Sequence, residues 1–305
     1  MIQKKVYEDA LFDIVVRGAT QVPKDVLAAF EDAIARETHR SAREGLERTY
    51  ESILLSAKTG RPACPDTGWP MFYFKVGNQA ALEGGLTALE EAARGAVKRA
   101  TREGFLRATM KHPLTGFDPG NNVGMNIPYF TYRFVPGDSV EMTYVAKGGG
   151  SECFGGTRHR VVAFADGLNG IYKFVVDAFV AASRTGAVCP PSLLGIGIGG
   201  TANVAANLAK EAACLRTAGS RHPEPEFRDI EEKLLRALNM LKVGAMGAGG
   251  DTSVFAVNVE YAYTHIAGIA VATSTNCMVA RRASARIRGD GAVEAMTSPG
   301  WFEGR

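Results

Sequence analysis

Three cysteines lie beside residues that end regular secondary structure, where a thiol can point out of the packed core. Cys64 is followed by Pro-Asp-Thr-Gly, Cys189 is followed by two prolines, and Cys277 ends a strand-like run. Thiolates are the soft ligands that iron–sulfur clusters prefer. Three of them leave one iron of a four-iron cluster without a protein ligand, and such an iron can act as a Lewis acid on a hydroxyl or carboxylate.

The spacing of these cysteines also allows a simpler interpretation, because free cysteines are usually small buried hydrophobic residues. The chain has five cysteines and no C-x-x-C pair, so the patterns of a zinc ribbon and a ferredoxin are absent. Cys214 lies in the helical segment AKEAACLR, where we expect burial. Cys153 lies in a glycine-rich loop, and the sequence does not assign it a role.

The elements around the cysteines predict a mixed α/β (α+β) fold, with helices first and sheet segments later. Apolar residues recur at helical spacing over residues 5–57. Strand-like runs follow at 71–76, 129–135 and 139–146, and Pro136-Gly137-Asp138 between the last two predicts a hairpin. The later runs VFAVNVEYAYT and IAVATSTNC also predict strands. We expect a single domain over residues 1–305, with a helical part to about residue 60 and a possible sub-boundary near residues 155–170.

Composition excludes several classes of protein. Hydrophobic residues make up 46% of the 305 residues, and the net charge is +3 without a basic run, so the sequence does not suggest binding to nucleic acid or to a membrane surface. No apolar run is long enough to span a bilayer. The N-terminus carries acidic residues and Arg17 within its apolar stretch, which is wrong for a signal peptide. We therefore expect a cytoplasmic protein.

Five motifs carry a resemblance to a known family, and they are, in chain order, CPDTG, VPGDSVEMTYVAKGGGSE, CPPSLLGIGIGGT, VGAMGAGGDTSVFAVNVEYAYTH and NCMVARRA. Together they resemble the alpha subunit, or N-terminal domain, of class I iron–sulfur fumarases and L(+)-tartrate dehydratases. The resemblance covers about residues 5–290. It implies a hydro-lyase that hydrates or dehydrates a small dicarboxylic hydroxy acid with a 4Fe-4S cluster.

The resemblance also implies roles for particular residues. The cluster ligands correspond to Cys64, Cys189 and Cys277, and the catalytic residues to Asp66 and His265. Arg107 corresponds to the arginine that holds a substrate carboxylate, which suits the planar fork of a guanidinium. Backbone amides of Gly148, Gly149 and Gly150 correspond to the loop that meets the substrate, where glycines allow a close approach to an anion.

Departures from the family pattern surround the expected pocket. Pro65 stands where the family usually has Gln, Cys153 where it has Asn, and the usual NTGxN loop is here Pro119-Gly120-Asn121-Asn122. We therefore expect a substrate other than plain fumarate or malate, such as tartrate, citramalate or a bulkier malate. In the family, the base that takes the proton from carbon comes from a beta region, so we expect a separate beta subunit in a hetero-oligomer.

Three other functions compete with this interpretation. Gly195, Gly197 and Gly200 spell G-x-G-x-x-G between an apparent strand and a helix, as in NAD-binding dehydrogenases, although the acidic residue that should follow a second strand is not evident. A non-catalytic member of the family is a second alternative. A zinc hydrolase is a third, although no compact motif such as H-E-x-x-H is present.

Overall fold

The computed structural model describes residues 1–303, which form two compact units. Unit 1 comprises Met1–Pro23, Ile53–Lys147 and the described residues from Arg281 onward. Unit 2 comprises Lys24–Ser52 and Gly148–Ala280. The chain thus leaves unit 1 after Lys147, earlier than the expected boundary near residues 155–170.

Helices form most of the N-terminal part of the chain, which confirms the prediction from apolar spacing over residues 5–57. The N-terminal helices are α1 (Lys4–Thr20), α2 (Lys24–Arg36) and α3 (Arg40–Thr59). The later helices are α4 (Gly85–Arg102), α5 (Gly149–Cys153), α6 (Gly167–Ser183), α7 (Ala202–Leu215) and α8 (Pro225–Met240).

Strands alternate with the later helices, which confirms the α+β class. They are β1 (Trp69–Gly77), β2 (Tyr129–Val135), β3 (Val140–Lys147), β4 (Thr157–Val162), β5 (Ser192–Ile198), β6 (Val254–Tyr261), β7 (Ile269–Asn276), β8 (Arg281–Ile287) and β9 (Val293–Met296). The sequence predicted β1, β2, β3, β5, β6 and β7, and it did not identify β4, β8 or β9.

Unit 1 contains a five-stranded mixed sheet in the order β2-β1-β3-β8-β9. Alternate residues of β1, β3 and β8 point to one face, where α1 and α4 cover them. Phe72 and Phe74 of β1 and Tyr144 of β3 are fully buried there. Burying side chains of this size contributes about 1.5–3 kcal/mol each. This face forms the core of unit 1.

The predicted hairpin between β2 and β3 is wrong, because β1 lies between these two strands. β1 pairs in parallel with β2 and antiparallel with β3. Eight of the nine residues of β1 are buried, so this strand needs a neighbour on each side. The Pro-Gly-Asp turn therefore connects two strands that flank a third, and local turn signals cannot reveal such an insertion.

Unit 2 contains a four-stranded sheet in the order β4-β7-β5-β6. Helices α6 and α8 cover one face with large apolar side chains from β5, β6 and β7. Helix α7 covers the other face, where alanines of α7 and β7 form a small cluster. An added Cβ would lie 2.0 Å from Ala209 O at Gly195 and 2.0 Å from Ala205 O at Gly197. These glycines therefore allow α7 to pack directly on β5.

Within residues 1–303, none of the helices is both long enough and apolar enough to cross a membrane.

Candidate functional site

The Cys64–Gly68 loop joins α3 to β1 in unit 1, and its backbone is held at several points. The N–H of Ala63 donates to Ala19 O at 3.0 Å, and the N–H of Gly68 donates to Asp66 Oδ1 at 3.0 Å. Gly68 has a φ of 73°, and an added Cβ there would lie 2.4 Å from the carbonyl oxygen of Lys147. The glycine of CPDTG therefore lets this loop lie against the end of β3.

Arg107 lies beside this loop. Its backbone N–H donates to Thr67 Oγ1 at 2.7 Å. On the other side of the loop, Arg281 Nη2 donates to the carbonyl oxygen of Asp66 at 2.6 Å, and Arg281 is only 2% exposed. Unit 1 thus brings Cys64, Asp66 and Arg107 together.

Two of these residues were missed by sequence reasoning. Thr67 lies in the motif CPDTG and Arg281 in NCMVARRA, and the sequence assigned neither residue a role. The signal for Arg281 was a pair of adjacent arginines at the start of the segment RRASARI, in which small residues follow them. A buried guanidinium needs hydrogen-bond acceptors, and the carbonyl oxygen of Asp66 supplies one.

Cys189 and Cys277 meet at one end of the sheet of unit 2. Cys189 precedes β5, Cys277 directly follows β7, and the two strands are antiparallel, with Leu193 opposite Asn276. The N–H of Met278 donates to the carbonyl oxygen of Cys189 at 3.1 Å. With standard backbone dimensions, this bond places the Cα atoms of the two cysteines no more than about 8 Å apart.

The backbone of Cys189 has an unusual conformation. Its φ is 53°, in the left-handed region that non-glycine residues rarely adopt. This conformation costs about 1–2 kcal/mol for an L-residue. Two backbone hydrogen bonds hold this conformation. The N–H of Met278 donates to the carbonyl oxygen of Cys189, and the N–H of Met246 donates to that of Pro190. Strain of this kind is concentrated at functional sites.

Gly148–Gly150 form the start of α5, which lies next to the segment before Cys189. An added Cβ on Gly150 would lie 2.1 Å from the carbonyl oxygen of Ala187. Lys210 of α7 holds Glu152 of the same motif through a 2.6 Å ion pair, with both side chains less than a quarter exposed. Unit 2 thus brings the glycine loop, Cys189 and Cys277 into one region, and Lys210 is a contributor that the sequence did not reveal.

Replacing Gly150 with alanine is expected to destabilise the protein by about 1–3 kcal/mol, because the new methyl group overpacks the contact with Ala187. Chemical denaturation measures the free energy of unfolding. Gly124→Ala is the matched control, because a Cβ there meets nothing within 4 Å and the residue has no positive φ. Equal denaturation midpoints for the two variants would contradict the close contact at Gly150.

His265 lies far from the cysteines of its own unit. It is exposed in the loop between β6 and β7, where its Nδ1 accepts the N–H of Ala267 at 3.2 Å. Cys277 follows the opposite end of β7. At about 3.3 Å per residue, the eight residues of β7 separate the two ends by roughly 25 Å. The structure therefore does not bring His265 to Cys189 and Cys277 within unit 2.

The three cysteines predicted as ligands are neither buried nor fully exposed. Cys64, Cys189 and Cys277 are partly exposed, whereas Cys214 is 1% exposed and Cys153 is on the surface. A cluster ligand needs an accessible thiol at the end of an element, so these three residues fit a cluster by donor chemistry and accessibility. Cys64 belongs to unit 1 and the other two belong to unit 2.

Among residues 1–303, no three His, Cys, Asp or Glu side chains are grouped so that they could hold a metal ion. A single zinc ion draws all its ligand atoms to about 2.0–2.3 Å from one centre, so the zinc-hydrolase alternative has no support in the described part of the chain. A four-iron cluster instead distributes its cysteine ligands over separate irons.

The geometry of the glycine motif gives no support to the dehydrogenase alternative. Gly195 and Gly197 lie within β5 and face α7, whereas the dinucleotide fingerprint places its glycines in the turn that precedes the helix. The apparent fingerprint thus reflects the close packing of a helix on a strand.

Comparison with known proteins agrees with the motifs. Residues 8–286 match the family described as "Fumarate hydratase (Fumerase)". The chain is 36% identical over 284 residues to the "Putative L(+)-tartrate dehydratase subunit alpha" of Methanocaldococcus jannaschii, covering 92% of this chain and 98% of that protein. It is 33% identical over 277 residues to the L(+)-tartrate dehydratase subunit alpha of Escherichia coli strain UTI89, covering 89% and 88% of the two chains.

Proposed function

The chain belongs to the Fumarate hydratase (Fumerase) family and is a hydro-lyase, and from this premise we propose that it is the cluster-binding alpha subunit of an enzyme that acts on a small dicarboxylic hydroxy acid. Its cofactor in this proposal is a 4Fe-4S cluster held by Cys64, Cys189 and Cys277. A cluster with one iron free of protein ligands supplies Lewis-acid activation of the substrate hydroxyl.

The other predicted site residues have the following roles in this proposal. Arg107 binds a carboxylate through its guanidinium fork. Asp66 orients the hydroxyl and balances its proton, and Arg281 and Thr67 fix the loop that carries Asp66. Backbone amides of Gly148–Gly150 stabilise the negative charge that develops on the substrate during the reaction. His265 stays a predicted catalytic residue.

One observation carries the assignment of the ligands. Cys189 and Cys277 are far apart in the sequence, yet they meet at one end of the four-stranded sheet, and the backbone at Cys189 is held in the left-handed region. Buried cysteines that serve only as small hydrophobic residues need neither accessible thiols nor such a conformation. Cys214 lacks such an accessible thiol, since it is 1% exposed in α7.

The substrate is expected to differ from fumarate and malate. The curated relatives are named for L(+)-tartrate, and the departures at Pro65, Pro119 and Cys153 lie near the residues assigned to substrate binding. We propose tartrate, citramalate or a bulkier substituted malate as the substrate. Steady-state assays with this series test the idea, and a clear preference for unsubstituted malate would contradict it.

The relatives are named as alpha subunits, and we propose that a beta subunit completes the enzyme and supplies the base that takes the proton from carbon. A general base contributes about 10²–10⁴-fold to such a step. We expect the chain alone, reconstituted without oxygen with iron and sulfide, to contain the cluster but to turn over at least about 10²-fold more slowly than the complex.

Iron and sulfide analysis, followed by assays with and without the co-expressed beta subunit, tests both statements. An iron-free protein after reconstitution would favour a non-catalytic family member. Full turnover by the chain alone would refute the role of the beta subunit. The oxygen-sensitive type of cofactor in this proposal favours a cytoplasmic location.

A further inference from the structure

A cavity of about 400 Å³, open to solvent on one side, lies in unit 1, between the segment that follows Arg107 and the start of β1. Its walls are mainly apolar side chains, namely Trp69, Met110, Pro113, Phe117, Val123 and Ile127. Lys111 and His112 supply polar groups. This volume lies within the range of small-molecule sites, which are mostly apolar with a few polar groups.

The cavity shares its walls with the substrate-binding residues proposed above. The hydrogen bond from Arg107 N–H to Thr67 Oγ1 joins the two segments. Trp69, two residues after Thr67, and Thr109, two residues after Arg107, line the cavity. The cavity is therefore an extension of the region that contains Asp66 and Arg107.

A buried asparagine holds the wall of the cavity in place. Asn122 is fully buried with a φ of 59°. Its Oδ1 accepts the N–H groups of Thr109 at 2.8 Å and Met110 at 3.3 Å, and its Nδ2 donates to the carbonyl oxygen of Arg107 at 2.9 Å. The loop is thus tied to the segment after Arg107, so the cavity is formed before any ligand binds.

We propose that this cavity is a subsite for an apolar substituent of the substrate, so that the enzyme acts on a hydroxy dicarboxylic acid with an alkyl branch of several carbons. The inference rests on the proposed hydro-lyase function. Malate and tartrate carry only carboxylates, hydroxyls and a short carbon chain, which gain nothing from an apolar cavity. An alkyl branch gains about fourfold in kcat/KM for each methylene that it buries.

The first test compares malate with 3-propylmalate, using the cluster-loaded complex of this chain with its beta subunit. We expect kcat/KM for 3-propylmalate to exceed that for malate by about 60-fold, which is the gain for burying the three carbons of the propyl group. Gly124 offers a way to fill the cavity, because it lines the cavity, has no positive φ and has open space around a Cβ. Gly124→Leu should reduce this ratio to near one.

A matched control and a second variant accompany this substitution. Gly95 is an exposed glycine of α4 with equally open surroundings, and Gly95→Leu should leave the ratio unchanged. Phe117→Ala removes one wall instead of filling the space, and it should lower the ratio by about tenfold through lost apolar contact. Gly124→Leu reduces the volume of the cavity and Phe117→Ala enlarges it. Because both are expected to lower the ratio, the result does not depend on a folding defect in either variant alone.

A binding measurement on the full chain gives a readout that does not need turnover. The chain has two tryptophans, and Trp301 lies outside the cavity, packed against Tyr73. In Trp301→Phe, the emission of Trp69 reports on the cavity alone. Titration with 3-propylmalate should change this emission, whereas malate should change it little, and adding Gly124→Leu should remove the response.

Each outcome decides the proposal. Turnover of malate without a gain for 3-propylmalate and without a change in Trp69 emission would overturn the subsite and leave the hydro-lyase function intact. A cluster-loaded complex that turns over none of these acids would overturn both. Loss of beta-subunit association in Gly124→Leu, measured by size-exclusion chromatography, would show that the cavity receives the partner and would also overturn the subsite.

Discussion

Replacing Cys189 with serine is expected to remove the visible absorbance of the reconstituted protein and to lower turnover by at least about 10³-fold, because a Lewis-acid metal supplies several kcal/mol of stabilisation to the transition state. Serine is nearly the same size but is a much poorer ligand for iron than a thiolate. The same result is expected for Cys64 and Cys277. All three thiols are partly exposed, so the substitutions should leave the fold intact.

Cys214→Ala is the matched control for this experiment. Cys214 is buried in α7 beside alanines, so alanine there should leave both the absorbance and the iron content unchanged. Iron and sulfide analysis of the purified variants separates loss of the cluster from loss of activity alone. A fully loaded Cys189→Ser protein would show that the cluster is held by other residues.

Replacing Arg216 with alanine is expected to destabilise the protein by about 3–5 kcal/mol, which is the usual effect of removing one partner of a buried ion pair. Arg216 lies 2.9 Å from Glu260 and 3.5 Å from Glu231, and the three side chains are at most 8% exposed. Without the guanidinium, two buried carboxylates lose their shared cation. Denaturant titration of the free energy of unfolding measures the loss.

The cost of this substitution should depend on pH. Burial raises the pKa of Glu231, while the N–H groups of Val259 and His222 and the Arg216 guanidinium oppose that rise. Removing Arg216 raises this pKa further. Below the ordinary pKa of glutamate the carboxyl is protonated in both the folded and unfolded states, so no penalty arises. The penalty grows as pH rises from that value to the raised pKa, and above it the penalty is constant.

Arg221→Ala provides the comparison for Arg216. Arg221 lies 3.9 Å from Glu232, with both side chains at least a third exposed, and exposed pairs contribute about 0–1 kcal/mol. A small change at Arg221 together with a large, pH-dependent change at Arg216 is the expected result. A cost at Arg216 that is equal at acidic and neutral pH would refute the role assigned to Glu231.

Local residue patterns predicted much of the fold of this chain. Apolar periodicity, together with Gly and Pro residues at the ends of elements, predicted the N-terminal helices, the strands around Phe72 and Ile196, and helix α7. The hairpin between β2 and β3 was predicted wrongly, because β1 enters between them from earlier in the chain. β8 was missed because its paired arginines look like surface residues, although both are buried.

The sequence by itself determined the family, the class of reaction and the residues proposed for the site. The reason is that whole motifs with chemically distinctive residues can be identified from the sequence alone. Only the tertiary structure decided that Cys189 and Cys277 meet, that Arg281 and Thr67 hold the loop of Asp66, and that an apolar cavity adjoins Arg107. The physical reason is that these contacts join segments far apart in the chain. Their formation depends on strand order and backbone geometry, which local patterns do not encode.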